Sequence, residues 1–327
     1  MTLSNPFMEE KKFKYRFTLF TPCYNSAPFI ERIKMSVEKQ TFRDFEWIVV
    51  NDNSSDNTLE LLEEYIKTVD FPVKLINNKT NMMLAVNYNL AVEQTEGEYF
   101  VTLDHDDEYS PRYLEIMDEL IKKYDSPKVA GVVARCQTQY GKITPMPDYS
   151  KPLMNWFEYG KDKKGHYTGE VPRAFKTEIL KKYMPFDPKL VHNPVIEAMM
   201  SYDGYTFITT NEVIRKYYVL ETGQLSISNN RSNRLLYYSY YQLREEINKY
   251  TKYYHTSLGT KLNLCLGYCS ASIRYGLSFS DIANDVDRWR ISIFLIYPFA
   301  YLRVLLSNVS FVRNFWIKLR AYKEKRG

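Results

Sequence analysis

Through the first 125 residues, short apolar runs alternate with stretches in which apolar positions recur every three or four residues. The run Phe17-Thr18-Leu19-Phe20 is stopped by Pro22. Phe29, Ile30, Ile33 and Val37 then share one helical face of 27–40, with Pro28 near the first turn. A second run, 45–50, ends in the polar cluster Asn51-Asp52-Asn53-Ser54-Ser55-Asp56. Leu59, Leu62 and Ile66 stripe the helix predicted after it, and Asp56 suits its N-cap. Residues 73–76 predict a third strand, 82–94 a third helix and 98–103 a fourth strand. Nearly continuous apolar strands alternating with amphipathic helices predict an α/β layer, a mostly parallel sheet with helices on both faces. Ligands of such sheets bind beyond the carboxyl ends of the strands. Three of these ends are polar: Thr21-Pro22-Cys23-Tyr24-Asn25, the Asn51–Asp56 cluster, and Asp104-His105-Asp106-Asp107.

The second half is less regular. Pro111 opens a helix running to Tyr124, and 129–135 predicts a further strand. Residues 136–170 read as irregular, suited to a lid, an acceptor-binding loop or a plain surface insertion. A tyrosine-rich amphipathic helix is predicted over 231–256 and another over 261–277. Twelve uncharged residues, 291–302, then precede Arg303 and a second uncharged stretch, 304–312. Twelve residues are too few to span a bilayer, and a longer span would carry Pro298 and Arg303 near its middle. An interfacial amphipathic anchor is expected, with packing onto the rest of the chain as the alternative.

Composition narrows the class. A chain of 327 residues that is 45% hydrophobic holds one large domain or two modest ones and is not disordered. The net charge of +5 is unevenly spread: from Arg290 onward there are eight Lys/Arg and one acid, Glu324. A basic tail on a nearly neutral body points to an anionic membrane surface, and no nucleic-acid partner is expected. Cys23, Cys136, Cys265 and Cys269 form no metal-ligand spacing and read as reduced, buried thiols. The first residues lack an apolar signal core, so a cytoplasmic protein is expected.

The candidate chemistry centres on Asp104, Asp106 and Asp107, three carboxylates within four residues at a strand end. Oxygen ligands of this kind suit a hard divalent cation, Mn²⁺ or Mg²⁺, shared with substrate phosphates. Taken alone the motif reads more readily as an acidic turn. Two competitors fail. The loop opening at Asp52 has the acid of a calcium loop at its twelfth place, Glu63, but Asn57 instead of glycine at the sixth, and a strand in front of it. A dinucleotide fold needs a glycine-rich first turn, and this turn has no glycine.

The succession TPCYN, EWIVVNDNSSDNT and GEYFVTLDHDDEYSP resembles the nucleotide-sugar half of family 2 glycosyltransferases, closely over 16–125 and more loosely over the next hundred residues. That resemblance implies a GT-A fold with a helical C-terminal extension. The expected organisation is a polar lead-in over 1–14, a catalytic domain over 15–225 (nucleotide-sugar half 15–125, acceptor half 126–225) and a helical region over 226–327. By resemblance, Thr21, Pro22 and Tyr24 line the nucleobase and ribose, Asp52 bonds the base, and Ser54 and Asp56 close that loop. Asp104 is the first acid of the DxD motif, near the ribose, and Asp106 is the metal ligand, with Asp104 beside it. Asp56 reads more readily as plain helix capping. The loop Gln224-Leu225-Ser226 resembles one that closes over the diphosphate.

Two departures stand out. Asn81-Met82 occupies the place where family members often carry Gly-Lys, and Asn193-Pro194 the place of an acid-bearing pair. An inverting transfer needs a base for the acceptor hydroxyl, and Glu197, Asp107 and Asp203 are the candidates. The expected function is transfer of a sugar from a nucleotide-diphosphate sugar to a carbohydrate or lipid-linked acceptor, in assembly of a surface polysaccharide or glycolipid. The expected location is peripheral, on the inner face of the cell membrane. The alternative is a non-catalytic nucleotide-sugar or carbohydrate-binding protein on the same fold. A nucleotidyltransferase would need a Gly/Arg/Lys-rich first loop, which TPCYN is not.

Overall fold

Every residue of the strand Phe45–Asn51 is buried, as in a strand covered on both faces. Its side chains alternate: Trp47 and Val49 enter one apolar cluster, Ile48 and Val50 another. The computed structural model describes residues 12–144, 148–160, 170–187, 195–218, 233–245, 247–248, 258–286 and 289–308.

The first half runs β1 (Tyr15–Cys23), α1 (Ile30–Glu38), β2 (Phe45–Asn51), α2 (Thr58–Tyr65), β3 (Val73–Asn77), α3 (Leu84–Gln94) and β4 (Gly97–Thr102). Each element lies within a few residues of its expected bounds. A two-residue strand, β5 (Glu108–Tyr109), follows the acidic turn, then α4 (Tyr113–Tyr124) and β6 (Val129–Thr138). The stretch read as irregular holds β7 (Ile143–Thr144), β8 (Leu153–Met154) and α5 (Trp156–Tyr159), the last opened by a capping box between Asn155 and Glu158. Next come β9 (Arg173–Lys176), α6 (Thr177–Leu180), α7 (Val195–Tyr202) and β10 (Thr206–Tyr217).

The sheet order is β3-β2-β1-β4-β9-β6-β10-β5, with β7 on β6 and β8 on β10. Strands β3, β2, β1 and β4 pair in parallel, so their carboxyl ends share one edge. The expectation of a mostly parallel sheet omitted β9, which runs antiparallel to both β4 and β6. Gly131 permits that insertion: a Cβ there would lie 2.0 Å from the Ala174 carbonyl oxygen. Strand β10 is parallel to β6 and antiparallel to β5, which returns the chain to the acidic turn. Helices α1, α2 and α4 cover one face of the sheet, and α3 and α5–α7 the other.

Helices α8 (Asn233–Glu245), α9 (Leu258–Tyr275), α10 (Phe279–Asn284) and α11 (Arg290–Asn308) bury a third cluster around Cys265, Tyr268 and Cys269. Tyr268 donates to the Ile282 carbonyl at 3.1 Å. The apolar stretch expected at 291–302 forms one helix that continues through Pro298 and Arg303. Ile293, Ile296 and Ala300 face the cluster at helical spacing, while Phe294, Leu295 and Phe299 stay more than 60% exposed. All four cysteines are free and buried. Replacing Gly131 with alanine should force β9 away from β6 and cost about 1–3 kcal/mol, the usual range for overpacking. Urea unfolding within a few tenths of a kcal/mol of wild type would show that β9 gives way freely.

Candidate active site

The turns after β1 and β2 brace one another. Ser54 Oγ accepts from the Asn25 amide at 2.9 Å, Asn25 Oδ1 accepts from the Ser55 amide at 2.8 Å, and Thr58 Oγ1 accepts from the Ser26 amide at 2.8 Å. Asn25 and Asn53 hold left-handed backbone (φ 50° and 59°), a conformation asparagine tolerates better than most residues. Asp56 stands one residue before the α2 N-cap, which is Asn57 and not Asp56 as expected; its Oδ1 accepts from the Thr58 amide at 3.1 Å and its Oδ2 from the Ala27 amide at 3.1 Å. Thr21 is buried, its hydroxyl accepting from the Trp47 indole at 3.0 Å, whereas Tyr24 is exposed at the rim.

Asp52 is buried at the end of β2. It accepts from Asn78 Nδ2 (2.8 Å) and from the Met82 and Met83 amides (2.7 and 2.8 Å). The carboxylate therefore holds the turn entering α3, where Met83 has φ 72°. Three of about four acceptor positions are used, leaving about one for a base N–H.

The acidic turn is held from three sides. His105 turns toward β1, its ring against Phe29 and its Nδ1–H donating to the Pro22 carbonyl at 3.1 Å. Arg32, from α1, donates to the Asp106 carbonyl and lies 3.8 Å over the Tyr218 ring. Arg215, from β10, reaches both neighbouring acids: its Nε donates to Asp107 Oδ2 at 2.6 Å and its Nη2 lies 2.9 Å from Asp104 Oδ2. Tyr218 adds an amide to Asp107 Oδ1 at 3.0 Å. Asp107 has no exposed surface, and burial pushes its carboxyl up to about 7 against the pull of Arg215. Asp104 keeps 40% of its side chain open. Among the described residues no group of three His, Cys, Asp or Glu is arranged to hold a metal. Asp104 and Asp106 are an all-oxygen pair, which fits a hard divalent cation whose other ligands come from phosphate and water.

Beside this turn lies a cleft of about 810 Å³, including its open mouth, between α3, β9, α7 and β10. Leu84, Tyr88, Phe186 and Ile196 form its apolar wall; Asp104, Glu170, Arg173 and Arg215 supply charge. Asn89 on α3 holds the Phe186 backbone through a reciprocal pair of 2.7 and 2.8 Å. The three candidate bases do not converge on this space. Asp107 is enclosed by Arg215. Glu197, its side chain 2% exposed, accepts from the Tyr159 hydroxyl at 2.9 Å and lies 3.4 Å from Arg173 Nε. Asp203 follows α7, takes the Tyr183 hydroxyl at 2.7 Å, and is not among the residues lining the cleft. Asn193-Pro194 and the Gln224-Leu225-Ser226 loop lie outside the described residues. Arg32, Arg173, Arg215 and Glu170 were given no role from sequence; the fold brings them to the acidic turn or its cleft.

The chain belongs to a family of known chemistry. The profile of glycosyl transferase family 2 matches residues 18–184. An uncharacterized glycosyltransferase of Haemophilus influenzae is 28% identical over 197 residues, 59% of this chain and 51% of that protein. Staphylococcus aureus TarS, a poly(ribitol-phosphate) beta-N-acetylglucosaminyltransferase, is 30% identical over 126 residues, 37% of this chain and 22% of that protein. The chain thus spans about half of the first relative and less than a quarter of the second. The structure of TarS 1–349 with UDP-GlcNAc superimposes at a TM-score of 0.56 with 16% identity, covering 87% of this chain and 90% of that one. The mannosyltransferase PcManGT of Pyrobaculum calidifontis, with GDP-Man and Mn²⁺, gives 0.56 and 21% over 95% and 85%. The fold is GT-A.

Arg215→Met should cost about 3–5 kcal/mol, because it strands a buried carboxylate. Combining it with Asp107→Asn should restore much of that loss. Urea unfolding checks both, and a single variant as stable as wild type would remove the pair from its role in holding the turn.

Proposed function

We propose that this chain is a glycosyltransferase that moves a sugar, with inversion, from a nucleotide-diphosphate sugar to an acceptor hydroxyl. The observation that carries the reading is the meeting of the β1, β2 and β4 ends at one sheet edge, with Asp104 lining a cleft and Asp106 two residues on. Family membership supports the reaction class. Thr21, Pro22, Tyr24, Asp52 and Ser54 form the nucleoside side of the site. Asp104 and Asp106 hold a divalent cation, Mn²⁺ or Mg²⁺; when bound, it neutralises charge on the leaving diphosphate. Arg173 and Arg215 also line the cleft, each beside carboxylates of the chain, Glu197 for the first and Asp104 and Asp107 for the second. The apolar wall around Tyr88 and Phe186 suits a sugar face and excludes water from the reacting bond.

The acceptor belongs to surface polymer or glycolipid assembly, a setting supported by the name of the TarS relative. The protein works at the inner face of the cell membrane, in contact with anionic lipid. Among the described residues α11 is the one helix with the length and apolarity to cross a bilayer. Its half-buried geometry, with Ile293 and Ala300 against the cluster and Phe294 and Phe299 outward, favours lying in the interface. The basic residues of the sequence after it complement anionic headgroups. The second reading, a non-catalytic nucleotide-sugar-binding protein, has one specific support: none of the three sequence-named bases presents an open carboxylate to the cleft.

Asp106→Ala should abolish Mn²⁺-dependent binding of nucleotide-diphosphate sugars in calorimetry; unchanged affinity would sink the cation assignment. Full-length protein should float with phosphatidylglycerol vesicles, and Phe294→Glu with Phe299→Glu should lose most of that flotation while keeping the wild-type melting temperature. Equal flotation of both would remove α11 from the contact.

A further inference from the structure

We propose that Glu170 is the general base of the transfer, its carboxylate facing the cleft and taking the proton of the attacking hydroxyl. The inference rests on the donor-site reading above. It begins from an allocation of acids. Two carboxylates line the cleft among the described residues, Asp104 and Glu170. Asp104 is ion-paired with Arg215 at 2.9 Å and belongs to the cation pair. Asp107 and Glu197 are buried against arginines, and Asp203 lies off the cleft wall. The sequence over 188–194, where family members carry an acid, contains none. Glu170 is exposed, and Arg173, Arg215, Tyr217 and Cys136 are the titratable groups that feel its charge.

Its backbone is nonetheless fixed. The Glu170 carbonyl accepts from Thr144 Oγ1 at 2.6 Å and from Cys136 Sγ at 3.3 Å, tying it to β6 and β7. Two residues later the Pro172 carbonyl accepts from the Ala134 amide at 3.0 Å, and Arg173 begins β9. An exposed carboxylate on an anchored backbone is the arrangement a base needs, since the side chain approaches a bound hydroxyl without moving the strand, and the nearby Arg173 and Arg215 favour its ionised, proton-accepting form. In the step, an oxygen lone pair of the acceptor forms the bond to the anomeric carbon. The bond from that carbon to the diphosphate oxygen breaks, and its electron pair leaves with the nucleoside diphosphate. The hydroxyl proton passes to Glu170 and then to solvent.

The test uses the full chain with Mn²⁺ and a panel of nucleotide-diphosphate sugars that includes UDP-GlcNAc and GDP-mannose, water standing in for the acceptor. Donor binding is measured by calorimetry and release of nucleoside diphosphate by rate. Glu170→Gln should bind donor within about twofold of wild type, release product at least about a hundredfold more slowly, and lose the acid limb of the pH–rate profile. Glu170→Asp should restore part of the rate and that limb. A Gln variant within about threefold of the wild-type rate overturns the proposal, as does one whose donor affinity falls along with its rate. Wild type that binds donor without turning it over overturns the catalytic role and leaves the donor site standing. Wild type that binds no donor at all fails the donor-site reading, and this proposal with it.

Discussion

The site depends on one buried charge pair. Asp107 has no contact with water, and an uncompensated carboxylate in that position would be expelled or protonated. Its compensation comes from Arg215, 108 residues further along the chain. Because the same guanidinium reaches Asp104, the acid just past the β4 end is held in place by a residue of β10, far along the chain. Strand β10 can deliver Arg215 there because it pairs with β5 directly after the acidic turn and with β6 on its other side. The pairing of β5 with β10 and the ion pair each require the other, so the two halves close around the turn as a unit.

The same logic sorts the remaining acids by their neighbours. Asp52 is surrounded by N–H donors and holds the entry to α3. Glu197 meets Tyr159 and Arg173, and so fixes the position of a cleft cation more than it offers an open base. Asp104, half open and near one arginine, keeps lone pairs for an outside ligand. The chemistry open to each carboxylate follows from how many of its acceptor positions the chain already fills.

The first half of the fold was legible because its information is local. Strand runs such as 45–50 and helical stripes such as Phe29, Ile30, Ile33 and Val37 state their period within ten residues. The polar strand ends were legible for the same reason, and a parallel sheet brings them together without further knowledge. Strand β9 was not legible: four residues, Arg173–Lys176, inserted antiparallel, are permitted by a glycine 42 positions earlier in sequence. Arg215 was not legible as a partner of the acidic turn: Asp107 lies 108 residues earlier and is reached only through the pairing of β10 with β5. Glu197 was legible as an acid near the acceptor side; its engagement by Tyr159 depends on α5, a helix of four residues within a stretch that carried no periodic signal.

The helical region is coupled to the cleft through a short path. Tyr241 on α8 donates to Asp187 Oδ2 at 2.7 Å, and Asp187 follows Phe186, a wall residue that Asn89 pins to α3. Helices α8, α9 and α11 share one buried cluster, so the outward face of α11 is linked to the cleft wall through packed side chains and one hydrogen bond. A surface that engages Phe294 and Phe299 therefore also restrains the segment carrying Phe186. Under the function proposed above, with the acceptor held in a lipid layer, that linkage would tie the position of the cleft to the layer, with folded helices as the spacer. An acceptor threading through a loose linker would not provide that restraint, because its reach varies with every conformation it samples.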